Sequence, residues 1–284
     1  MHSMDDGENR SSRRGFLAGS ASLLVGGALG GAVCAYAATA PAKTVETAPA
    51  APPLPWSWVK LDPLEVGRRA YRNYGIAGCG HATYMAFLSL LREKVGYPYT
   101  TLPDMMMVHA AAGYGGHGTL CGALGGTCCI INLVAYKDKN GVYQQIIDRL
   151  FYWYAEQEFP TDRFDDIAAF PKQIKVKAMS PLCHTSVSKW TMEAGAQITS
   201  KEKKDRCAKV AGEVAYITTL ALNEYFAGKW TPPAWKPSAA TEHCIKCHGP
   251  DDMFQTKEKD GMNHQQGHME CQLCHPDHTK VTTK

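Results

Sequence analysis

The stretch that decides the fold class covers residues 201–226 and reads KEKKDRCAKVAGEVAYITTLALNEYF. Its apolar residues recur at spacings of three and four, at Val210, Val214, Ile217, Ala221 and Leu222. That spacing places them on one face of an α-helix. A long amphipathic helix of this kind needs other helices to cover its apolar face. The stretch therefore predicts a helical core.

Segments upstream have the same character. Asp62 can cap a helix whose first position is Pro63. A second, largely buried helix is expected to start near Cys79, and further helices are expected over 120–136 and 142–159. Alternating strand patterns are scarce. We therefore predict an all-α fold.

Two pentads of the form Cys-x-x-Cys-His lie near the end of the chain: Cys244-Ile-Lys-Cys247-His248 and Cys271-Gln-Leu-Cys274-His275. In this pattern both cysteines form thioethers to a haem, and the adjoining histidine becomes the proximal iron ligand. A four-cysteine zinc ribbon has similar paired spacing but does not need a histidine after both pairs. The pentads predict two covalently attached c-type haems. The tail around them is too short and polar for a core of its own, so we expect it to fold around the haems.

The beginning of the chain has the features of an export signal. Arg13-Arg14 is followed by a glycine-rich, weakly apolar stretch and by small-residue cleavage sites. We expect a twin-arginine signal peptide cut after Ala37, with an uncleaved anchor as the alternative. No later segment is apolar enough to cross a bilayer. The mature protein is therefore expected in the periplasm, without stable membrane insertion.

Six of the 11 cysteines belong to neither the pentads nor the signal: Cys79, Cys121, Cys128, Cys129, Cys183 and Cys207. Disulfides are one interpretation in an oxidising compartment. The other is an iron–sulfur cluster, because glycines flank Cys79 and Cys121 and allow backbone to approach a cluster closely. The twin-arginine route also suits a protein that folds around a cofactor before export.

Cys128 and Cys129 lead into an apolar run and are expected to be small buried helix residues. The predicted ligands of the cluster, [2Fe-2S] or similar, are therefore Cys79, Cys121, Cys183 and Cys207, with Cys128 as a substitute.

These cysteines carry a resemblance. The stretch 113–124, GYGGHGTLCGAL, together with Cys79, Pro181-Leu182-Cys183-His184 and Arg206-Cys207-Ala208, resembles a family of redox-active proteins with dispersed cysteines around a Cys-Gly-Ala-Leu core. With the two pentads, the chain from Asp62 to His275 resembles the split-Soret cytochromes c. The resemblance implies a dimeric periplasmic electron carrier of anaerobic bacteria. It also implies two stacked haems per subunit and a cysteine-bound iron–sulfur centre in the helical domain. The chain departs from the family pattern around His81 and His117.

The distal haem ligands come from a surplus of histidines. The candidates are His81, His109, His117, His264 and His268. The first three flank the glycine-rich cysteine segment, and the last two stand four residues apart just before the second pentad. Methionine is the rival ligand in the tail, at Met253, Met262 or Met269, whereas Met105, Met106 and Met107 are expected to be core residues. We expect two histidines on each iron.

Composition divides the chain into five segments. They are a signal peptide (1–37), a flexible leader (38–55), a helical cysteine-rich domain (56–229), a proline-rich linker (230–241) and a dihaem segment (242–284). The formal net charge is only +3 and the charges of the tail nearly cancel, so nucleic-acid binding is not indicated.

The expected function is electron transfer in anaerobic respiration, by a homodimer that exchanges electrons with partner proteins. Two alternatives stay open. One is a haem oxidoreductase with an open axial site, and the other is a thiol redox sensor.

Overall fold

The structure, a computed structural model, describes residues 51–138, 141–232, 236–248 and 269–279. The predicted signal peptide, most of the predicted leader, and the candidate ligands His264, His268, Met253 and Met262 lie outside the described residues.

The described residues form helices and one small antiparallel strand pair. The helices are α1 (Pro63–Lys94), α2 (Ala111–Tyr114), α3 (Gly122–Ala135), α4 (Val142–Glu156), α5 (Cys183–Glu193), α6 (Lys201–Phe226) and α7 (Ala239–His248). The strands are β1 (Glu158–Phe159) and β2 (Val176–Lys177), with Glu158 opposite Lys177. Short 3₁₀ turns cover Tyr99–Thr101, Val108–Ala110 and Cys271–Leu273. The all-α prediction is confirmed.

Helix α1 begins where the sequence predicts. The Asp62 side chain accepts a hydrogen bond from the Leu64 N–H, and Pro63 occupies the first helical position. Non-helical backbone at Ala77 and Gly78 then kinks the helix, with Gly78 at φ +82°. The two predicted helices are therefore the two halves of α1, and Cys79 is the first residue of the second half.

Helix α1 packs along both α6 and α3 to form the core. It approaches α6 closely at Gly67 and Gly212, where the Phe164 ring lies against both residues. A Cβ atom at Gly67 would lie 3.0 Å from the Gly212 carbonyl oxygen and 2.5 Å from Phe164 Cζ. The predicted apolar face of α6 is buried here, with Val210 and Val214 at most 2% exposed.

Two local predictions are wrong. Helix α4 ends at Glu156 and not at residue 159, because Pro160 disfavours helical backbone at Phe159, which instead enters β1. Met105 and Met106 are also not core residues, being 58% and 37% exposed. They lie in a turn, where successive side chains cannot share one buried face.

Ordered contacts reach into the end of the predicted leader and into the predicted linker. Leu54, at the end of the predicted leader, packs against the core, and the Trp56 N–H donates to the Leu133 carbonyl oxygen at 2.8 Å. Helix α7 begins inside the predicted linker, where the Ser238 hydroxyl accepts a hydrogen bond from the Thr241 N–H. None of the described helices is long and apolar enough to cross a bilayer.

Candidate functional site

Four cysteines from different parts of the chain line one cavity of about 360 Å³. They are Cys79, Cys121, Cys183 and Cys207. Those are the four residues that the sequence predicts as cluster ligands. Cys128 and Cys129 lie further along α3, are half-buried and do not line this cavity. All the cysteines that the structure describes are free thiols.

Backbone pairing between two loops sets Cys121 beside Cys183. The Cys121 N–H donates to the Pro181 carbonyl oxygen at 2.9 Å, and the Cys183 N–H donates to the Thr119 carbonyl oxygen at 2.7 Å. A short antiparallel bridge thus joins the residues before each cysteine. It holds the two thiols at one edge of the cavity although they are far apart in sequence.

Three of the four thiols stand at the start of a helix. Cys121 is the N-cap of α3, Cys183 is the first residue of α5, and Cys79 opens the second half of α1. The N-terminal end of a helix carries partial positive charge, which stabilises a thiolate over a thiol. These helix ends therefore offset part of the cost of placing negative charge on the buried sulfurs.

The glycines of the Cys-Gly-Ala-Leu-Gly-Gly segment let the thiol-bearing elements come close together. A Cβ atom at Gly122 would lie 2.2 Å from the Ala110 carbonyl oxygen and 2.6 Å from Cys79 Sγ. Any side chain here would push α3 away from α1. Close packing is thus the structural role of these glycines.

The environment separates the pKa values of the thiols. The pKa of Cys121 falls to about 6, chiefly because the Cys79 side chain donates a hydrogen bond to it, with further stabilisation from Tyr154, the Ala123 N–H and the positive charge of Arg206. The same hydrogen bond, together with burial, raises the pKa of Cys79 well above its usual value. Burial raises the pKa of Cys183 to about 12. A cation in the cavity would favour the ionised forms of Cys79 and Cys183.

Two polar residues lie behind the thiols, and the sequence predicted no role for either of them. Arg206 is 1% exposed and donates from Nη2 to Ser186 Oγ at 2.9 Å, while Nη1 lies 4.0 Å from Cys207 Sγ. Tyr154 is fully buried, with its hydroxyl 2.9 Å from the same Ser186 Oγ. One signal was present, since Arg206 lies four residues before Val210 on the apolar face of α6.

The donor set fits a thiolate-bound cluster. Four sulfurs surround a cavity with a buried cation nearby, and thiolates are the usual ligands of iron–sulfur clusters. Across the described ranges, no three His, Cys, Asp or Glu side chains are arranged to hold a single metal ion.

The two Cys-x-x-Cys-His pentads, which the sequence predicts to attach haem, lie side by side. The first forms the end of α7 and the second occupies the 3₁₀ turn Cys271–Leu273. Glu270 joins them, because its carboxylate accepts hydrogen bonds from Ser238 Oγ and Thr241 Oγ1, both at 2.5 Å. Thr241 Oγ1 also accepts from the N–H of Cys271 at 3.3 Å. A residue next to the second pentad therefore caps the helix that carries the first.

The attachment side chains also approach one another. The pKa of Cys271 is raised by partial burial and by the neighbouring Cys244 thiol, which is close enough to hydrogen-bond with it. The ring centroids of His248 and His278 are 5.8 Å apart. This arrangement brings the two attachment points together.

The candidate distal histidines are not equivalent. His81 is 3% exposed and its Nδ1 has no hydrogen-bond partner among the described residues. His109 and His117 are exposed, and His109 Nδ1 lies 3.0 Å from the Met106 carbonyl oxygen. None of these three lines the thiol cavity, whereas His184 does.

Together with the helical fold, these features define a redox protein of the cytochrome c class. Residues 82–220 match the family model described as "Putative redox-active protein (C_GCAxxG_C_C)". The chain is 32% identical over 225 residues to split-Soret cytochrome c of Desulfovibrio desulfuricans (strain ATCC 27774 / DSM 6949 / MB). The aligned region covers 78% of this chain and 77% of that protein. It therefore belongs to the split-Soret cytochrome c family.

A solved structure shows the same architecture. It is described as "A novel iron centre in the split-Soret cytochrome c from Desulfovibrio desulfuricans ATCC 27774". The TM-score is 0.68 at 30% sequence identity, over 78% of this chain and 90% of that one.

Proposed function

We propose that this chain is a periplasmic dihaem cytochrome c that carries a thiolate-bound iron–sulfur cluster and transfers electrons in anaerobic respiration. The observation that carries the proposal is the meeting of Cys79, Cys121, Cys183 and Cys207 on one cavity, in a chain that also holds two paired haem-attachment motifs. The solved relative is described as having an iron centre, which supports an iron group here.

Each set of residues has its own role. Cys244, Cys247, Cys271 and Cys274 attach the haems, and His248 and His275 are the proximal ligands. The four cavity cysteines hold the cluster, and Arg206 offsets their negative charge. When bound, the haems and the cluster supply one-electron couples. The chain itself fixes their positions.

The distal ligands and the assembly belong to the same proposal. Both haems are six-coordinate, with second ligands drawn from His81, His109, His117, His264 and His268. The protein is a homodimer that buries its haems near the subunit contact, and it reaches the periplasm by the twin-arginine route. Rapid, stoichiometric carbon monoxide binding to the reduced protein would instead favour an oxidoreductase with an open axial site.

Haem attachment is tested by mass. The denatured mature protein is expected to exceed its polypeptide mass by about 1.2 kDa, since each pentad retains one haem covalently. A Cys247→Ala, Cys274→Ala double variant is the control and should lose most of this added mass. A wild-type mass equal to that of the bare polypeptide would exclude the cytochrome function.

Cluster binding is tested by iron and acid-labile sulfide in anaerobically purified protein. Cys121→Ser and Cys207→Ser are expected to lose non-haem iron and sulfide while keeping both haems. Cys128→Ser is the matched control, because Cys128 lies on α3 but outside the cavity. This variant should keep its non-haem iron and sulfide. Equal iron content in all three variants would contradict the ligand assignment.

One observation favours a second function, the thiol redox sensor. Cys79 and Cys121 share a hydrogen bond, and the pKa of Cys121 is lowered to about 6 while that of Cys79 is raised. A thiolate beside a second thiol is the arrangement that forms a reversible disulfide. A Cys79–Cys121 disulfide in anaerobically prepared, iron-free wild-type protein would support the sensor over the cluster.

A further inference from the structure

Helix α6 buries an unusual number of ionisable side chains beside the thiol cavity. Each of the following is at most 7% exposed: Asp205, Arg206, Lys209 and Glu213. Burying a charge costs several kcal/mol unless a partner compensates it. The partner of each buried residue therefore indicates the role of its charge.

Three of the four have ordinary partners. Lys209 Nζ lies 2.5 Å from Asp165 Oδ1, and Arg163 Nε lies 3.1 Å from Glu213 Oε1. Asp205 accepts hydrogen bonds from a tyrosine hydroxyl and from two backbone N–H groups. These contacts hold the segment 161–170 onto α6 and explain why the charges are tolerated.

Arg206 differs from its neighbours. Within the part of the chain that the structure describes, no carboxylate lies within 4.0 Å of its guanidinium. Its neighbours are the Ser186 hydroxyl at 2.9 Å and Cys207 Sγ at 4.0 Å, and its buried Nε has no hydrogen-bond partner among the described residues. Arg206 lines the thiol cavity. The sulfurs are thus the nearest groups able to supply the missing negative charge.

The hydroxyl of Ser186 links Arg206 to a second thiol. Ser186 Oγ accepts hydrogen bonds from the guanidinium of Arg206 and from the hydroxyl of Tyr154, each at 2.9 Å. Tyr154 and Cys121 line the same cavity, so the phenol hydroxyl can rotate to donate to the Cys121 sulfur when a bound centre places negative charge there. Arg206 and Tyr154 thus approach the cavity from the same side, one with a charge and one with an O–H donor.

We propose that Arg206 and Tyr154 set the reduction potential of the cavity's thiolate centre, Arg206 as its buried counter-cation and Tyr154 as a hydrogen-bond donor to Cys121. This inference rests on the proposed iron–sulfur cluster. Reduction adds one electron, supplied by a c-type haem, and one negative charge, while no bond forms or breaks. A fixed cation and a hydrogen bond to sulfur both stabilise the more negative state, so both raise the potential.

The test is a redox titration of the haem- and iron-loaded full-length mature protein. The cluster is followed by electron paramagnetic resonance and the haems by visible absorption in the same samples. Arg206→Gln removes the charge but keeps a donor towards Ser186. Lys203→Met is the matched control, because Lys203 is on the same helix and lines the same cavity but is only half-buried. Solvent screens such a charge far more strongly.

Arg206→Gln is expected to lower the equilibrium constant for reduction of the cluster at least tenfold. For a one-electron couple this corresponds to a reduction potential lower by about 59 mV. Lys203→Met should change this equilibrium constant less than threefold, and the haem potentials should stay at their wild-type values in both variants. An unchanged cluster potential in Arg206→Gln, an equal shift in Lys203→Met, or a parallel shift of the haems would each overturn the proposal.

Tyr154→Phe keeps the proposal testable if Arg206→Gln does not fold, since it removes a single hydroxyl. It is expected to weaken cluster reduction about threefold, and an unshifted potential would overturn the proposal. Wild-type protein without iron and sulfide would refute the proposed function itself. If the protein binds iron but neither Arg206→Gln nor Tyr154→Phe changes the cluster potential, only this inference is refuted.

Discussion

Gly126→Ala tests whether the glycines of the cysteine segment act by packing α3 against α1. The alanine Cβ atom would lie 2.2 Å from Thr83 Oγ1 and 2.4 Å from the Gly80 carbonyl oxygen. Neither atom can move easily. Gly80 O belongs to the backbone of α1, and Thr83 Oγ1 donates to the Ala123 carbonyl oxygen at 3.0 Å. The two helices must therefore separate.

The magnitude follows from two opposing effects. Overpacking a filled core costs about 1–3 kcal/mol, and rigid neighbours place this site at the upper end. Alanine in place of glycine inside a helix recovers about 1 kcal/mol. The expected net loss is about 2 kcal/mol of unfolding free energy. For a domain of this size, that corresponds to a melting temperature lower by about 4–8 °C.

The assay is thermal unfolding followed by circular dichroism at 222 nm. Gly75→Ala is the matched control, because Gly75 is in α1 and a Cβ atom there would meet nothing within 4 Å. That variant should gain about 0.5–1 kcal/mol from the lower backbone entropy of its unfolded state. A Gly126→Ala protein as stable as the wild type would refute the packing role of this glycine.

Two further predictions concern a buried ion pair and the link between the pentads. Lys209→Met leaves Asp165 without its partner beside the core and should cost about 3 kcal/mol in urea unfolding. Lys175→Met breaks the exposed pair with Asp162 and should leave the urea midpoint close to that of the wild type. Equal costs would show that burial does not strengthen the Lys209 pair. Glu270→Ala should keep both haems, since the cysteines attach them, but should reduce the splitting of the Soret band because α7 loses its link to the second pentad. Glu242→Ala, which alters an exposed residue of α7, is its control, and an unchanged spectrum in Glu270→Ala would remove Glu270 from haem positioning.

Local chemistry explains what could be predicted from the sequence. The start of α1 depends on Asp62 and Pro63, which lie next to the groups that they cap or replace. The bounds of α6 follow from its apolar spacing and from Ser200, whose hydroxyl accepts the Lys203 N–H. The two Cys-x-x-Cys-His motifs can likewise be recognised in the sequence, because the cysteines and histidine of each lie within five consecutive residues.

The choice of the four cavity cysteines depended on less direct reasoning. Glycines beside Cys79 and Cys121, together with the resemblance, indicated them, and the structure brings them together with Cys183 and Cys207. The sequence could not show how they meet. The Cys121–Cys183 edge depends on backbone pairing across about sixty residues, and the approach of Cys79 depends on a kink at Ala77 and Gly78.

The sequence by itself determined the helical class and located the two Cys-x-x-Cys-His pentads and the thiol-rich segments, because each depends on neighbours in the chain. Only the tertiary structure decided that a buried Arg206 stands behind the thiols with no carboxylate beside it among the described residues, and that Glu270 joins the two pentads. The reason is physical. The energy of a buried charge or hydrogen bond depends on which groups from distant segments surround it, and a linear pattern does not specify those groups.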